Sequence, residues 1–334
     1  MRAAVLGAGS WGTTFAQVLC DAGTDTVLWA RGEPTVEAIS SRHENPKYLP
    51  GIELNPALRA TGDISEAVDG ADLVVFGVPA QTLRSCLGDW APLLPRDALL
   101  VSLLKGIERD TCKRMSEVIT EVLDVPASRV AMVAGPNLAR ELAERQYGAS
   151  VIACPDSEAA QAVQGACNTK YLRPYWNTDI LGCELAGSIK NVIALAVGMG
   201  VALGMGDNTK AMLITRGLAE MSRLGQVLGA DFRTFAGLAG MGDLVATCSS
   251  PLSRNRTFGQ HLGQGLSAEQ AKEVTGQTAE GATSYAPLLE LARKHGVEMP
   301  ITEVVGSVIT GDVPVGEAAA ALMSRSAKPE WYGS

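Results

Sequence analysis

Residues 3–12, Ala3-Ala4-Val5-Leu6-Gly7-Ala8-Gly9-Ser10-Trp11-Gly12, decide how this chain folds. Four apolar residues run into a glycine-rich turn, and an amphipathic stretch follows from Thr13 to Asp21, closed by Gly23. Physically that is a buried strand, a tight turn and a helix. Gly7 frees the backbone for the sharp turn off the strand. Gly9 leaves room for a pyrophosphate to approach the main chain, and Gly12 lets the helix pack closely on the sheet. Backbone N–H groups from about Ser10 onward then face an anion at the positive end of the helix dipole. This spacing is the dinucleotide-binding fingerprint, and its place between a strand and a helix gives it weight. A glycine turn that only packs is the competing reading.

The rest of the composition bounds what such a domain can belong to. A chain of 334 residues is too long for one core, so two domains are expected. With 46% apolar and 19% charged residues it has the make-up of a soluble globular protein. A net charge of −8 argues against nucleic acid as the main partner, which calls for a basic face. The seven cysteines are scattered with no CxxC pair, which fits small core residues in a reducing cytoplasm. The N-terminus enters a strand directly, so no signal peptide is expected. The apolar stretch Val192 to Leu203 is about half the ~20 residues a membrane span needs and is read as a buried helix.

Followed in order, the first half alternates. Thr26–Ala30 is the second strand, and its end is where an acidic residue usually holds the ribose hydroxyls of NAD. Here stands Arg31, which suits the 2′-phosphate of NADP, although Glu33 nearby keeps NAD open. Residues 42–60 are proline-punctuated and expected to be loop. Asp63–Asp69 is a short helix and Asp72–Val78 a strongly apolar strand. The strand Leu99–Leu103 leads to Lys105, a cation at the crevice edge, and then to a helix expected over Thr111–Leu123. Strand Val130–Ala134 ends in Gly135-Pro136-Asn137, with Asn137 placed to cap the next helix. Strand Ala149–Ala153, helix Ser157–Ala166 and strand Tyr171–Tyr175 complete a doubly wound, mostly parallel α/β sheet.

From about Thr178 long helical patterns take over. In Asp179–Leu203, Lys190 shares a face with Ala186, Gly187, Ile193, Ala194 and Val197. A lysine in an apolar stripe either snorkels to water or is functional. Burial lowers its pKa toward neutrality, where it can exchange protons. Asn191 adds a hydrogen-bonding group beside it. A second helix, Asn208–Leu228, leads to the glycine-dense Gly237–Asp243, where Asp243 either caps a helix or pairs with Lys190. Ser253-Arg254-Asn255-Arg256 offers charge and donors for a phosphate, or a polar solvated loop. The three histidines lie near no nucleophile motif, and no cluster suggests a metal. Acid–base duty therefore falls most naturally on Lys190.

Taken together, several separated motifs resemble the bacterial NAD(P)-dependent sn-glycerol-3-phosphate dehydrogenase family. They are Gly7 to Gly12, Lys105-Gly106, Gly135-Pro136, Glu184-Leu185-Ala186-Gly187-Ser188-Ile189-Lys190-Asn191, Gly240-Met241-Gly242-Asp243-Leu244 and Ser253-Arg254-Asn255. The resemblance implies a Rossmann domain over residues 1–177, an all-α substrate domain over 178–334, and a substrate cleft between them. It implies contacts to NADP or NAD, with NADPH favoured, from Gly7, Gly9, Ser10, Trp11, Gly12, Arg31, Tyr48, Lys105, Ala139, Arg254, Thr278 and Glu280. It implies a substrate site of Lys105, Gly135, Asn137, Lys190, Asp243, Ser253, Arg254 and Asn255, with Lys190 as the proton-transfer residue aided by Lys105 and Asp243. Asn137 and Thr278 depart from the residues commoner in the family. The implied reaction is hydride transfer between NAD(P)H and dihydroxyacetone phosphate, in a cytoplasmic homodimer supplying phospholipid synthesis. A related two-domain dehydrogenase acting on a hydroxy acid or hydroxyacyl substrate is the alternative.

Overall fold

The computed structural model describes residues 1–276, 279–326, 329 and 330. The chain forms two units: Met1–Leu104 with Met115–Ile180, and Lys105–Arg114 with Leu181–Ser334. The boundary expected at 177/178 thus falls at 180/181, and ten residues from the first half, Lys105–Arg114, join the second unit. Their apolar side chains explain it: Ile107 and Cys112 are buried in the helical core.

The first unit is an eight-stranded sheet. Its strands are β1 (Arg2–Leu6), β2 (Asp25–Trp29), β3 (Arg59–Thr61), β4 (Leu73–Phe76), β5 (Leu99–Ser102), β6 (Val130–Ala134), β7 (Gly148–Ala153) and β8 (Leu172–Asn177). They lie in the order 3-2-1-4-5-6-7-8. The first six pair in parallel, while β7 runs antiparallel to β6. The cause is the short connection between those two strands. It holds only the helix Ala139–Ala143, too short to carry the chain back across the sheet for a parallel return. The helices of this unit are α1 (Ser10–Asp21), α2 (Glu33–Arg42), α3 (Ile64–Val68), α4 (Leu83–Trp90), α5 (Met115–Leu123), α6 (Ala139–Ala143) and α7 (Ser157–Ala166). Two apolar layers flank the sheet, one with Phe15, Leu19 and Val133 and the other with Phe76, Leu87 and Trp90.

Two local expectations change. The proline-punctuated segment is not all loop, since Arg59–Thr61 adds the edge strand β3 beside β2. The helix expected from Thr111 starts only at Met115. Upstream of it, Cys112 sits at φ 56°, which an α-helix does not tolerate, and Ile107 and Arg114 form an antiparallel bridge that closes the loop on itself.

The second unit is helical: α8 (Ile180–Ala202), α9 (Asp207–Val227), α10 (Phe232–Ala236), α11 (Asp243–Ser249), α12 (Arg254–Gly263), α13 (Ala268–Thr275), α14 (Gly281–Lys294), α15 (Pro300–Thr310) and α16 (Val315–Met323). Helix α8 is the one described helix long and apolar enough to cross a membrane, yet 89% of its most apolar window is buried in the protein. It is a core helix. Its backbone meets that of α12 almost directly: a Cβ on Gly259 would stand 2.1 Å from the Leu195 carbonyl oxygen. Between α10 and α11, Leu238–Gly242 makes one wide π-type turn, and its last glycine delivers Asp243 as the first residue of α11.

Candidate active site

In the first unit the site begins at the carboxyl ends of β1 and β4, where the strand order reverses. Gly7 has φ +131°, and a Cβ there would lie 2.6 Å from the Gly77 carbonyl oxygen at the end of β4. A Cβ on Gly12 would lie 1.9 Å from the Gly7 carbonyl oxygen, so the turn closes only without side chains. At Gly9 the same construction meets nothing within 4 Å. Two glycines are therefore consumed by packing, and the middle one faces open space. Gly9 is also the N-cap of α1, with no side chain to bond the first N–H groups. The cost against a serine or asparagine cap is a few tenths of a kcal/mol. Burying Phe15, Val18 and Leu19 contributes about 2 kcal/mol each. The helix is held by its core face and leaves its N-terminal donors available.

The chain around this turn is locked by polar contacts. The buried Asn45 donates from Nδ2 to the Ala8 carbonyl (3.0 Å) and to Thr13 Oγ1 (2.9 Å). Ser10 Oγ donates to the Tyr48 carbonyl at 3.0 Å, which lays the Tyr48 segment on the glycine turn. Trp11 packs on Phe15, and its indole N–H is buried with no hydrogen-bond partner. An open Gly9, uncapped helix donors and an orphaned indole N–H fit a bound dinucleotide. Arg31 is exposed just past β2 and next to the N-terminus of α2.

Gly135, Asn137 and Ala139 lie past the end of β6. Gly135 takes φ +100° to pass the backbone of Ser150. Asn137 does not cap α6, whose N-cap is Leu138. One residue too early for that duty, its amide instead donates to the Ala134 carbonyl (3.0 Å) and accepts from Ser150 Oγ (2.6 Å), tying β6 to β7.

The second unit gathers its own set around a buried carboxylate. Asp243, 1% exposed, accepts from Lys105 Nζ at 2.7 Å through one oxygen and from Lys190 Nζ through the other. The question of cap or ion pair is settled in favour of the pair. Lys190 Nζ also donates to Thr247 Oγ1 at 2.8 Å. Burial pulls the Lys190 amine down to about 7, with Asp243 opposing the shift and the positive charge of Lys105 adding to it. When both amines are protonated, two cations on one carboxylate leave the cluster with a net positive charge.

A chain of amides fixes this arrangement. Asn191 donates to the Lys105 carbonyl (3.1 Å) and accepts from Asn255 (3.0 Å), and Asn255 accepts from the Gly281 N–H (2.9 Å). The ends of the Asn255 amide are thus engaged within the protein. Ser253 is the N-cap of α12, accepting from the Arg256 N–H, while Arg254 is exposed at the helix start. Glu280 sits at the N-cap of α14 and acts electrostatically on Arg254. Thr278 lies outside the described residues. Two contributors escaped the sequence reading. Thr247 stands four residues after Asp243 on α11, a spacing that signals a shared helix face. Asn45 sits in an irregular segment that carries no such signal.

Comparison with known proteins gives the family. The family model for the NAD-dependent glycerol-3-phosphate dehydrogenase N-terminus matches residues 2–160, and that for the C-terminus matches 179–320. The chain is 60% identical over 333 residues to glycerol-3-phosphate dehydrogenase [NAD(P)+] of Thermobifida fusca, covering 99% of each chain. It is 58% identical over 331 residues to the enzyme of the same name from Streptomyces griseus, covering 99% of this chain and 98% of that one. The crystal structure of glycerol-3-phosphate dehydrogenase from Coxiella burnetii superposes with a TM-score of 0.91 at 34% identity, over 97% of this chain and 99% of that one. With both of its units matched, this chain belongs to the NAD-dependent glycerol-3-phosphate dehydrogenase family.

Proposed function

We propose that this protein interconverts dihydroxyacetone phosphate and sn-glycerol 3-phosphate by hydride transfer with NAD(P)H. The observation that carries the reading is Lys190, a buried amine held between Asp243 and Thr247 with a second cation on the same carboxylate. The relatives that share its sequence bear the name of that activity.

The first unit would hold the cofactor. Helix α1 would offer its N-terminal donors at Gly9 to the cofactor's pyrophosphate, with Ser10, Trp11, Tyr48, Ala139 and Arg31 also holding the cofactor. When bound, the nicotinamide supplies the hydride for reduction and accepts it in the reverse direction. Gly135 and Asn137 would line the substrate's reacting end. In the second unit, Lys190 gives a proton to the C2 oxygen on reduction and takes it back on oxidation. Below about pH 7 the amine is charged and able to give; above it, neutral and able to accept. Lys105 adds positive charge beside the polarised oxygen, and Asp243 keeps both ammonium groups in place. Arg254, exposed at the start of α12, meets the substrate phosphate, with Ser253, Asn255 and Glu280 shaping its surroundings. The same reading places the enzyme in the cytoplasm as a homodimer, its product feeding phospholipid synthesis.

The test is the fall in absorbance at 340 nm with dihydroxyacetone phosphate and either NADPH or NADH. Wild-type protein should turn over, and Lys190→Ala should lose about 10²–10⁴-fold in kcat at pH 7. Near-normal turnover by the variant would remove Lys190 from the mechanism. A wild-type protein inactive on this substrate but active on a hydroxy acid would replace the substrate assignment.

A further inference from the structure

The ten-residue loop Lys105–Arg114 is fastened to α8 at both of its ends. At one end Asn191 donates to the Lys105 carbonyl at 3.1 Å. At the other, Arg114 Nη1 meets Glu184 Oε2 at 2.6 Å, a pair in which Glu184 is 3% exposed. Glu184 and Asn191 stand two helical turns apart on one face of α8. Between them lies Gly187, over which the Lys105 stem runs: a Cβ on Gly187 would stand 3.3 Å from Lys105 Cγ. The loop is also closed on itself by the Ile107–Arg114 bridge and by the Glu108 N–H to the Lys113 carbonyl. With Ile107 fully buried beneath it, the loop is held as a closed clip with Arg114 at one end and Lys105 at the other.

We propose that Arg114 and Glu184 are positioning residues that set where the Lys105 ammonium stands against Asp243 and Lys190. A buried ion pair contributes little net stability against a packed apolar alternative, so the role assigned to this one is to fix geometry. The inference rests on the reading of Lys105 and Lys190 as parts of the reaction site. The groups that face Lys190 are Lys105, Asp243 and Thr247, with Cys248 close by on α11. The Cys248 thiol is pushed up to about 12 by burial and stays neutral. Among these, Lys105 is the one whose charge lowers the Lys190 amine and whose place depends on the clip.

The experiment is a double-mutant cycle on Arg114→Met and Lys105→Met, with kcat followed from pH 5 to 10 in the reducing direction. Arg114→Met should lose at least about tenfold in kcat, since a small misplacement of a charge beside the reacting atoms costs that much. Its alkaline decline should move to higher pH, because the repulsion from Lys105 on Lys190 is relieved. The double variant should be no slower than Lys105→Met alone, and Arg114→Lys should recover part of the loss. Folded Arg114→Met protein with wild-type kcat and pH profile, or losses that multiply in the double variant, would overturn the proposal. If Arg114→Met lowers the melting temperature so far that it unfolds under assay, Glu184→Gln, which keeps the side-chain volume, takes its place in the cycle. Wild-type turnover and pH profile in Lys105→Met would instead overturn the site reading on which the inference rests.

Discussion

The glycine turn of the first unit and the carboxylate cluster of the second recognise charge by opposite means. The turn is built from backbone. Gly7 and Gly12 are used up by close packing, Gly9 is left open, and the attraction for an anion comes from helix donors that no side chain caps. It contains no titratable group and should work alike across the pH range in which the protein is folded. The cluster is built from side chains drawn from three separate stretches, around residues 105, 190 and 243, with Asp243 buried beneath two lysines. Its charge balance depends on protonation, and its geometry depends on a loop clipped to a helix. On the proposed reading, cofactor binding falls to the part of the molecule that cannot titrate, and proton transfer to the part that must.

The sharpest way to break this contrast is at the turn itself. Gly12→Val places a branched side chain where even a Cβ would be 1.9 Å from the Gly7 carbonyl oxygen. Backbone must move, so the expected loss is 3 kcal/mol or about that in stability, with cofactor-dependent activity abolished. Gly9→Ala meets nothing within 4 Å. It should melt within about 1 kcal/mol of wild type and yet bind NADPH about tenfold or more weakly, measured by quenching of protein fluorescence. Equal NADPH affinity in Gly9→Ala would show that the open face of the turn is not where the pyrophosphate lies.

Asp243→Asn tests the other half. Removing the carboxylate leaves the buried Lys190 ammonium facing the partly buried Lys105, and leaving a buried charge without its partner costs about 3–5 kcal/mol in charge stabilisation. Part of that is avoided by loss of the Lys190 proton. The sign follows: Asp243 raises the Lys190 amine, so its removal drives it below about 7. Reduction needs the charged amine, so its decline with rising pH should begin at lower pH in the variant, with kcat at pH 7 down about 10²-fold. This is the direction opposite to that expected of Arg114→Met. A profile unmoved by Asp243→Asn would mean that a group other than Lys190 titrates in the reaction.

The difference in construction also explains what could be read from the sequence. The alternation of most strands and helices, the glycine turn and the helical second half follow from local pattern, whereas the short edge strand Arg59–Thr61 is hidden among prolines. Lys190 stands out because a lysine in an apolar stripe needs a reason. Asp243 remained ambiguous because its partner, Lys190, lies 53 residues away. Thr247 was accessible in principle, one helical turn from Asp243, but became meaningful only once Asp243 was known to face inward. Asn45 and the Arg114–Glu184 pair had no local signal, the latter bridging 70 residues of sequence. The same reason underlies the domain boundary. Lys105–Arg114 looks like an ordinary strand-to-helix connection inside an alternating α/β pattern, and only the burial of Ile107 and Cys112 among helices assigns it to the second unit.

The smallest effect expected is at Arg31, and it lies on the backbone side of the comparison. This residue is exposed, follows β2, and precedes an α2 whose N-cap, Gly32, makes no side-chain bond. A guanidinium beside uncapped helix donors favours an anion such as a 2′-phosphate, while Glu33 in the first turn of the helix opposes it. Because the arginine is exposed, its pairing is screened, so the gain is of the order of 1–2 kcal/mol rather than the several available to a buried pair. Arg31→Asp should therefore shift the ratio of kcat/KM for NADPH over NADH by about five- to thirtyfold toward NADH, with kcat itself little changed. The preference in wild-type protein should also shrink between low and high salt, as a surface charge effect must. The pH profile should not move, since on the proposed reading Arg31 serves cofactor binding and not proton transfer. A variant in which the cofactor ratio stays fixed would leave the uncapped start of α2 as the sole anion donor there.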